Sequence, residues 1–298
     1  MENLKDIEPP CHPQKPYIEQ LVDKSVFILR EVKARFSTPA VMWSTGKDST
    51  LMLELCKQAY FNTIPFPVIH LDTTRKFSEV YAFRDKIAKE WGLDLIVVKP
   101  DEDEIKKHQP RGTEDEITAC CMALKVAPWK KIVRERGFGA LIMSIRRDEH
   151  EMRNYERYFS PRDENWEWHL VKPKGQDDFG DAPFVSEQDT ELAGWGIFAT
   201  DFPAGTNHVR VHPLLHWTEE DVWTYTGLID LPFNPLYLKG YRSLGCECCT
   251  VKPWDIPPKD INEIIERVAK TPGKERAGRA QDKETAQTMR RLRMMGYP

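Results

Sequence analysis

The stretch that decides the fold is 41-VMWSTGKDSTLML-53. It begins with apolar residues, breaks into the small, polar and charged run STGKDST, and becomes apolar again. After a buried strand, such a run predicts a tight turn into a helix. Gly46 lets the backbone approach a ligand closely, and Lys47 adds a positive charge beside the amides of a helix N-terminus. The run therefore predicts an anion cradle, for which phosphate is the natural ligand, with an ordinary polar turn as the alternative.

The spacing differs from that of a Walker-type phosphate loop. The glycine that opens a Walker loop is missing, and Asp48 follows the lysine where that loop has a serine or threonine. We therefore expect a phosphate-binding turn of a different class.

Apolar runs and amphipathic segments alternate along the first half of the chain. They predict strands at 39–44, 66–73, 93–100 and 140–149, and helices at 17–37, 49–61, 78–92 and 125–138. This alternation implies βαβ units and a mostly parallel sheet covered on both faces. Ligands bind beyond the carboxyl ends of such strands. The polar runs STGKDST, LDTTRK and SIRRDEH each follow a predicted strand, so we expect them to meet in one crevice.

Composition narrows the function classes. The chain has 298 residues and a formal net charge of −4, so no overall basic field indicates duplex nucleic acid. It contains no apolar run long enough to cross a membrane, and its first 16 residues lack the apolar core of a signal peptide. We expect a cytoplasmic protein, whose seven cysteines stay reduced unless they bind a ligand.

The later part of the chain changes character. Residues 151–207 are rich in Trp, Asp, Gly and Pro with little periodicity, which predicts an irregular insertion or lid. A helix is predicted at 218–228 with Thr218 as its N-cap. We expect an N-terminal arm and helix over 1–37, a nucleotide-binding α/β domain over 38–250, and a helical, basic tail over 251–298.

The pattern SxGKDS/T after a strand is the pyrophosphate loop (PP-loop) of the ATP pyrophosphatase families, which cleave ATP between its α and β phosphates. The resemblance extends over 30–55, 63–92, 145–149, 211–225 and 275–298. These segments are similar to the small, ATP-handling subunit of bacterial sulfate adenylyltransferase, in the phosphoadenylylsulfate reductase superfamily. The resemblance implies an adenine nucleotide alpha hydrolase-like, Rossmann-like fold: a mostly parallel sheet with helices on both faces, plus a helical C-terminal extension.

The resemblance also implies a set of site residues. Lys47, Arg146 and Arg147 would be catalytic. The nucleotide would be bound by Ser44, Thr45, Gly46, Lys47, Asp48, Ser49, Thr50, Asp72, Thr73, Lys76, Phe77 and Asp148. Arg75 departs from the family pattern, in which a tryptophan usually precedes the Lys-Phe pair.

The implied reaction joins sulfate to ATP and gives adenylylsulfate and pyrophosphate, with Mg²⁺ bridging phosphate oxygens. Sulfate carries no proton at neutral pH, so catalysis is expected to rest on charge neutralisation and in-line positioning rather than on a general base. The implied partner is the GTPase large subunit of that enzyme. A homo-oligomer is left open.

Five cysteines form two clusters that the usual small subunit lacks. The segment ACCMALKVAP resembles the tandem-cysteine segment of iron–sulfur adenylylsulfate reductases, with Leu124 where those have arginine, and SLGCECCT resembles their second segment. The resemblance implies that a [4Fe–4S] cluster is bound by Cys120, Cys121, Cys246 and Cys249. A Zn²⁺ site is the alternative. Cys248 is left as a bystander, an alternative ligand or a reactive thiol.

Three other functions stay open. The first is a sulfonucleotide reductase, although no cysteine follows Cys249 to serve as the tail nucleophile of those enzymes. The second is an ATP pyrophosphatase of sulfur transfer to nucleic acid, by phosphorothioation or thiolation. The third is a nucleotide-binding regulatory subunit without turnover.

Overall fold

The computed structural model describes residues 15–108, 113–149, 153, 156–166, 202, 204–273 and 275. In chain order the elements of this part are α1 Lys15–Arg35, β1 Pro39–Met42, α2 Lys47–Ala59, β2 Val68–Leu71, α3 Ser78–Glu90, β3 Leu95–Val98, α4 Glu102–Lys107, α5 Glu114–Cys121, α6 Ala127–Arg136, β4 Ala140–Ile142, β5 Phe159–Arg162, β6 His208–Val211, α7 Glu219–Leu228 and α8 Ile261–Lys270. A π-helical turn, Met122–Val126, joins α5 to α6.

The six strands form one sheet in the order β3-β2-β1-β4-β6-β5. All neighbouring pairs are parallel except β5 and β6, which are antiparallel at one edge. Strand β1 lies inside the sheet, where Val41 pairs with Val68 of β2 and with Ile142 of β4. The predicted mostly parallel sheet is therefore confirmed.

Both faces of the sheet are covered, as successive strand residues show. Val41 packs into a core with α1 and α2, whereas its neighbour Ala40 packs into a second core with Trp129 and Val133 of α6. Because successive side chains of a strand point to opposite faces, a strand buried on both sides must be apolar throughout. This is why the run PAVM contains no polar residue.

One stretch predicted to be irregular contributes to the sheet. Strand β5 lies within 151–207 and pairs Ser160 with Arg210 and Phe159 with Val211 of β6. Its four residues, FSPR, are all buried and show no alternation of apolar and polar residues, so periodicity could not reveal it. Residues 167–200, on which the rest of the insertion prediction falls, lie outside the described residues.

The C-terminal prediction is met in part. Helix α8 accounts for 261–270, and residues 276–298 lie outside the described residues. Thr218 caps α7 as expected, in a reciprocal capping box with Asp221. Within the described residues, no helix is both long and apolar enough to cross a membrane.

Candidate functional site: an anion cradle beside a cysteine site

The loop between β1 and α2 is tightly held. The amide of Ser44 donates to Oγ of Ser49 (3.1 Å), and that hydroxyl lies 3.1 Å from the carbonyl of Gly46. Thr45 is fully buried and has a left-handed backbone, with φ of 67°, which is uncommon for a β-branched residue. A Cβ at position 46 would lie 3.3 Å from the Ser44 hydroxyl and 3.5 Å from that of Tyr237. The loop is therefore a shaped turn in which a side chain at position 46 would crowd the Ser44 hydroxyl.

Lys47 opens α2 with its ammonium group buried. Its Nζ lies 2.6 Å from Oε1 of Glu275 and 3.1 Å from Oδ2 of Asp48. Its backbone amide donates to the hydroxyl of Tyr237 (2.9 Å). Burial alone would lower the pKa of Lys47, but the carboxylates of Asp48 and Glu275 raise it above its ordinary value. The group therefore stays positively charged.

Arg146 follows β4 and supplies the second buried cation. Its guanidinium lies 2.7 Å from Oδ1 of Asp48 through Nε and 2.7 Å from Oδ1 of Asp148 through Nη1. Its Nη2 also contacts the carboxylate of Glu275. Glu275 and Asp48 thus each join Arg146 to Lys47, and two carboxylates lie between the two buried cations.

A second layer of charge lies behind Lys47. Glu219, the first residue of α7, is 4.0 Å from Nζ of Lys47 and accepts from the guanidinium of Arg242 at 2.8 to 3.2 Å. Its amide donates to Oδ2 of Asp148 (2.8 Å). Burial and the nearby Glu275 raise the pKa of Glu219. The start of α7 is thereby fixed against the loop of Arg146.

A cleft of about 200 Å³ opens beyond these residues at the carboxyl ends of β1, β2 and β4. It is lined by the backbone and side chains of Ser44, Gly46, Asp48, Ser49, Lys76, Lys125, Glu149, Arg153, Tyr237, Ser243, Gly245 and Glu275, together with apolar residues of the strand ends. The three polar runs that follow the strands all reach this cleft, as the strand order predicts.

Three carboxylates in the cleft could hold a cation. Oxygen atoms of Asp48, Glu149 and Glu275 lie within 4.8 Å of one another. Carboxylate oxygens are the ligands that Mg²⁺ prefers, so this donor set fits that ion.

Arg147 does not join Arg146. Its Nη1 donates to Nε2 of His216 (2.6 Å), and its Nη2 donates to the carbonyl of Glu156 (2.9 Å). The expected catalytic placement of Arg147 is therefore not what the structure shows. Adjacent residues after a strand point in different directions, and only Arg146 faces the cradle.

Three other predicted site residues make contacts that stabilise the structure around the cleft. Thr50 accepts from the indole N–H of Trp43 (3.2 Å) beneath the loop. Phe77 packs against Tyr241 with ring centroids 5.0 Å apart. Asp72 accepts from the amide of Thr74 (2.8 Å) and so holds the turn after β2.

The five clustered cysteines come together from two segments. Cys120 and Cys121 end α5, whereas Cys246, Cys248 and Cys249 lie in and beside a 3-10 turn. All five line one small cavity with Thr73, Arg75, Ile117, Leu124 and Lys125. Lys125 lines this cavity and also the main cleft, so the two sites are adjacent.

The sulfur atoms are spread rather than packed. Zinc bound by four thiolates has Zn–S distances of about 2.3 Å, which place its sulfurs roughly 3.8 Å apart. The sulfurs of Cys248 and Cys249 lie 3.8 Å apart, but no three cysteine sulfurs of the described residues lie within 4.8 Å of one another. Burial opposes ionisation of Cys246, but Lys125, Lys76 and the Thr73 hydroxyl together lower its pKa to about 7. Cys246 thus has the readily ionised thiol that a metal group requires, whereas burial raises the pKa of Cys120.

Sequence reasoning missed several residues of the cleft. Glu275 lies in the C-terminal segment whose resemblance to the family was noted, and Glu149 belongs to the run that supplied Arg146. Tyr237 and Lys125 carried no motif that marked them. Only the fold brings residues this far apart in the chain into one cleft.

Comparison with known proteins agrees with this geometry. The pattern of the phosphoadenosine phosphosulfate reductase domain matches residues 38–252. Sulfate adenylyltransferase subunit 2 of Aeromonas salmonicida (strain A449) is 32% identical over 94% of this chain and 95% of its own length. The protein of the same name from Shewanella loihica (strain ATCC BAA-1088 / PV-4) is 31% identical over 95% of this chain and 99% of its own.

Solved structures show the same fold at lower identity. Phosphoadenylyl-sulfate reductase from Candida auris, in a phosphate complex, has a TM-score of 0.52 at 18% identity and covers 78% of this chain and 95% of that one. FMN adenylyltransferase from Candida glabrata, in complex with FAD and pyrophosphate, has a TM-score of 0.53 at 16% identity and covers 88% and 77%. The chain therefore belongs to the phosphoadenosine phosphosulfate reductase domain family, together with its relatives named sulfate adenylyltransferase subunit 2.

Proposed function

We propose that this chain transfers the adenylyl group of ATP to sulfate, giving adenylylsulfate and pyrophosphate. The observation that carries the proposal is the convergence of Lys47 and Arg146 on one carboxylate at the N-terminus of α2. Two buried cations beside a helix N-terminus form a site for a polyanion. The relatives named sulfate adenylyltransferase subunit 2, which align over nearly the whole chain, support the same reading.

The carboxylate of Glu275 indicates where the phosphates bind. It contacts both cations, as a β or γ phosphate of ATP would. When ATP binds, its phosphates take over Lys47 and Arg146, and Glu275 is released from them. In both arrangements the two buried cations contact an anionic group, so neither is left unpaired.

The reaction needs charge neutralisation more than proton transfer. A sulfate oxygen attacks the α phosphorus, the new S–O–P link forms, and the bond from the α phosphorus to the bridging oxygen breaks. The electron pair leaves with pyrophosphate. Lys47, Arg146 and the first-turn amides of α2 stabilise that leaving group once the phosphates have replaced Glu275 at the two cations.

Asp48, Glu149 and Glu275 would hold Mg²⁺ in this cleft, given that their oxygens converge. When bound, the ion supplies charge neutralisation at the phosphate oxygens. The release of Glu275 from Lys47 and Arg146 would make its carboxylate available for this role.

The acceptor sulfate is a dianion that must approach another anion. Lys76 and Lys125 line the same cleft as the phosphate loop. We assign the acceptor to Lys125, with Lys76 shared between the sulfate and the α phosphate that it attacks, which leaves Lys47 and Arg146 for the departing pyrophosphate.

The cysteine site would hold a [4Fe–4S] cluster through Cys120, Cys121, Cys246 and Cys249. The convergence of the thiols on one cavity, and the resemblance of both segments to iron–sulfur adenylylsulfate reductases, favour a cluster over a single zinc ion. Bound there, a cluster supplies a rigid charged group beside Lys125. Relatives named as subunit 2 also imply a larger partner subunit, which we take to be a GTPase.

The test is pyrophosphate release from ATP, measured with and without sulfate, on anaerobically purified protein with its larger partner subunit. We expect release that depends on sulfate. Lys47→Met should lower it by about 10² to 10³-fold, since it removes a charge that stabilises the leaving group. Glu90→Gln, an exposed change at the end of α3, is the matched control. Pyrophosphate release without sulfate, at an unchanged rate, would contradict the proposal.

Sulfur transfer to nucleic acid is a second candidate, favoured by the fifth cysteine. Cys248 lies in the cysteine cavity beyond the four proposed ligands. A neighbouring open groove is lined by Lys76, Lys239 and Lys252, with the rings of Phe77, Tyr81 and Tyr241 and two carboxylates, Glu79 and Glu247. Its lysines and aromatic rings are groups that bind a nucleic acid strand, although Glu79 pairs with Lys239. Release of AMP that requires a nucleic acid acceptor and not sulfate would favour this function over adenylyl transfer.

A further inference from the structure

The turn after β2 connects the cysteine site to the nucleotide cleft. The hydroxyl of Thr73 lies 3.2 Å from Sγ of Cys246. Two residues later, Nη1 of Arg75 donates to Sγ of Cys120 at 3.7 Å. The carbonyl of Arg75 accepts from the amide of Glu247 at 2.8 Å. The turn therefore contacts both cysteine segments, the end of α5 and the 3-10 turn.

The guanidinium of Arg75 is anchored on its other side. Its Nη2 donates to the carbonyls of Ile105 (2.8 Å) and His108 at the end of α4. A side chain with a single N–H donor could not make all of these contacts, so the guanidinium of Arg75 links α4 to the cysteine site.

The turn itself is strained. Thr74, between the two contact residues, has φ of 61°, a left-handed backbone that is unfavourable for a β-branched residue. Such a conformation persists only where the surroundings hold it. Asp72 holds it from one side through the Thr74 amide, and the cysteine site holds it from the other.

The next residue reaches the cleft. Lys76 follows Arg75 directly and lines the same cavity as Ser44, Gly46 and Asp48. A shift of the turn would therefore move a cationic side chain of the nucleotide site. Arg75, which contacts Cys120, is thus adjacent in the chain to a residue that lines the cleft.

We propose that Arg75 and Thr73 are positioning residues that make ATP affinity depend on the group held at the cysteine site. With the thiolates gathered around that group, the turn is held and Lys76 is placed for the nucleotide. With the group removed, the two cysteine segments separate and the strained turn relaxes. The inference rests on the proposed nucleotide site and metal group, but not on the identity of the acceptor.

The test compares Arg75→Met with wild type, both as full chains purified anaerobically and reconstituted with iron and sulfide. The readouts are iron and sulfide per chain, and the equilibrium Kd for ATP without sulfate. Arg75→Met keeps all cysteines, so it should retain iron while its Kd for ATP rises on the order of tenfold. Wild type stripped of iron by a chelator should show the same rise. Removing iron from Arg75→Met with the same chelator should not raise its Kd for ATP any further.

Three further measurements separate this coupling from poor folding or a general loss of charge. Thr73→Val keeps the shape of the side chain and removes only the contact to Cys246, so its Kd should rise by a smaller factor even if Arg75→Met folds poorly. Arg134→Met, in the last turn of α6, should match wild type. Because coupling is reciprocal, ATP should slow loss of iron to the chelator in wild type but not in Arg75→Met.

Several outcomes would overturn the inference. The first is an unchanged Kd for ATP in Arg75→Met. The second is a further rise in the Kd of Arg75→Met when its iron is removed. The third is a chain that takes up no metal after reconstitution. If the coupling is found but pyrophosphate release does not need sulfate, the inference stands and the proposed acceptor is wrong.

Discussion

The carboxylate of Glu275 lies 2.6 Å from the ammonium of Lys47, 228 residues earlier in the chain. The same carboxylate contacts Arg146, so the C-terminal segment reaches the phosphate loop through one side chain. This ion pair links the phosphate loop, through Lys47, to the last residue that the structure describes. It also gives Glu275 two opposed effects on ATP, as a competitor for the cations and as a ligand for Mg²⁺.

Glu275→Gln should separate these two effects. Without Mg²⁺, the variant should bind ATP more tightly, on the order of tenfold, because the competing negative charge is gone. With Mg²⁺, half-saturation of turnover should need more of the ion, because one carboxylate ligand is lost. Equilibrium binding of ATP, followed by a Mg²⁺ titration of pyrophosphate release, measures both. Weaker binding in the absence of Mg²⁺ would show that Glu275 does not compete with phosphate.

The adjacent arginines should differ sharply. Arg146→Met removes a cation that faces the cradle and should lower turnover by about 10² to 10³-fold. Arg147→Met should leave turnover per folded molecule close to wild type and lower stability instead, because Arg147 bonds to His216 and to the carbonyl of Glu156. Thermal unfolding and pyrophosphate release on the same preparations check this. Equal losses of turnover in the two variants would restore the expectation that both arginines are catalytic.

The fold could be predicted from the sequence further than the site could. Continuous apolar runs mark β1, β2 and β4, and the polar runs after them mark the cleft, because parallel strands end at one edge of the sheet. Strand β5 was not predicted, because it has no periodicity of its own. It forms by pairing with β6, which lies over 40 residues away in the chain. The direction of Arg147 and the reach of Glu275 depend on packing between distant segments. Those contacts leave no trace in local spacing.

His70 should make stability depend on pH. It is buried in β2, with Nδ1 2.9 Å from the carbonyl of Trp43, and burial followed by the charge of Lys76 lowers its pKa to about 4. The unfolded chain has the ordinary pKa near 6.5, so between these values the unfolded state binds a proton that the folded state does not. The free energy of unfolding must therefore fall as the pH falls from about 6.5 to about 4.

The size of this effect can be isolated with one substitution. Between pH 7 and pH 5, His70 should remove about 2 kcal/mol of stability, from 1.4 kcal/mol for each pH unit below 6.5. His70→Gln has no such proton to bind, so the difference between wild type and variant should shrink by that amount at pH 5. Urea unfolding at both pH values measures it. A difference that is the same at both would mean that His70 is protonated alike in the folded and unfolded chains.

The five clustered cysteines should divide into four ligands and one bystander. Cys120→Ser or Cys249→Ser should lower bound iron to a small fraction of wild type, because a serine oxygen is a poor replacement for a cluster thiolate. Cys248→Ser should keep iron and sulfide at the wild-type level. It changes the same kind of atom in the same cavity, which makes it the matched control. Iron and sulfide analysis of anaerobically purified proteins checks the division. Loss of iron from Cys248→Ser, with retention in Cys249→Ser, would exchange their roles and move the fourth ligand by one residue along the 3-10 turn.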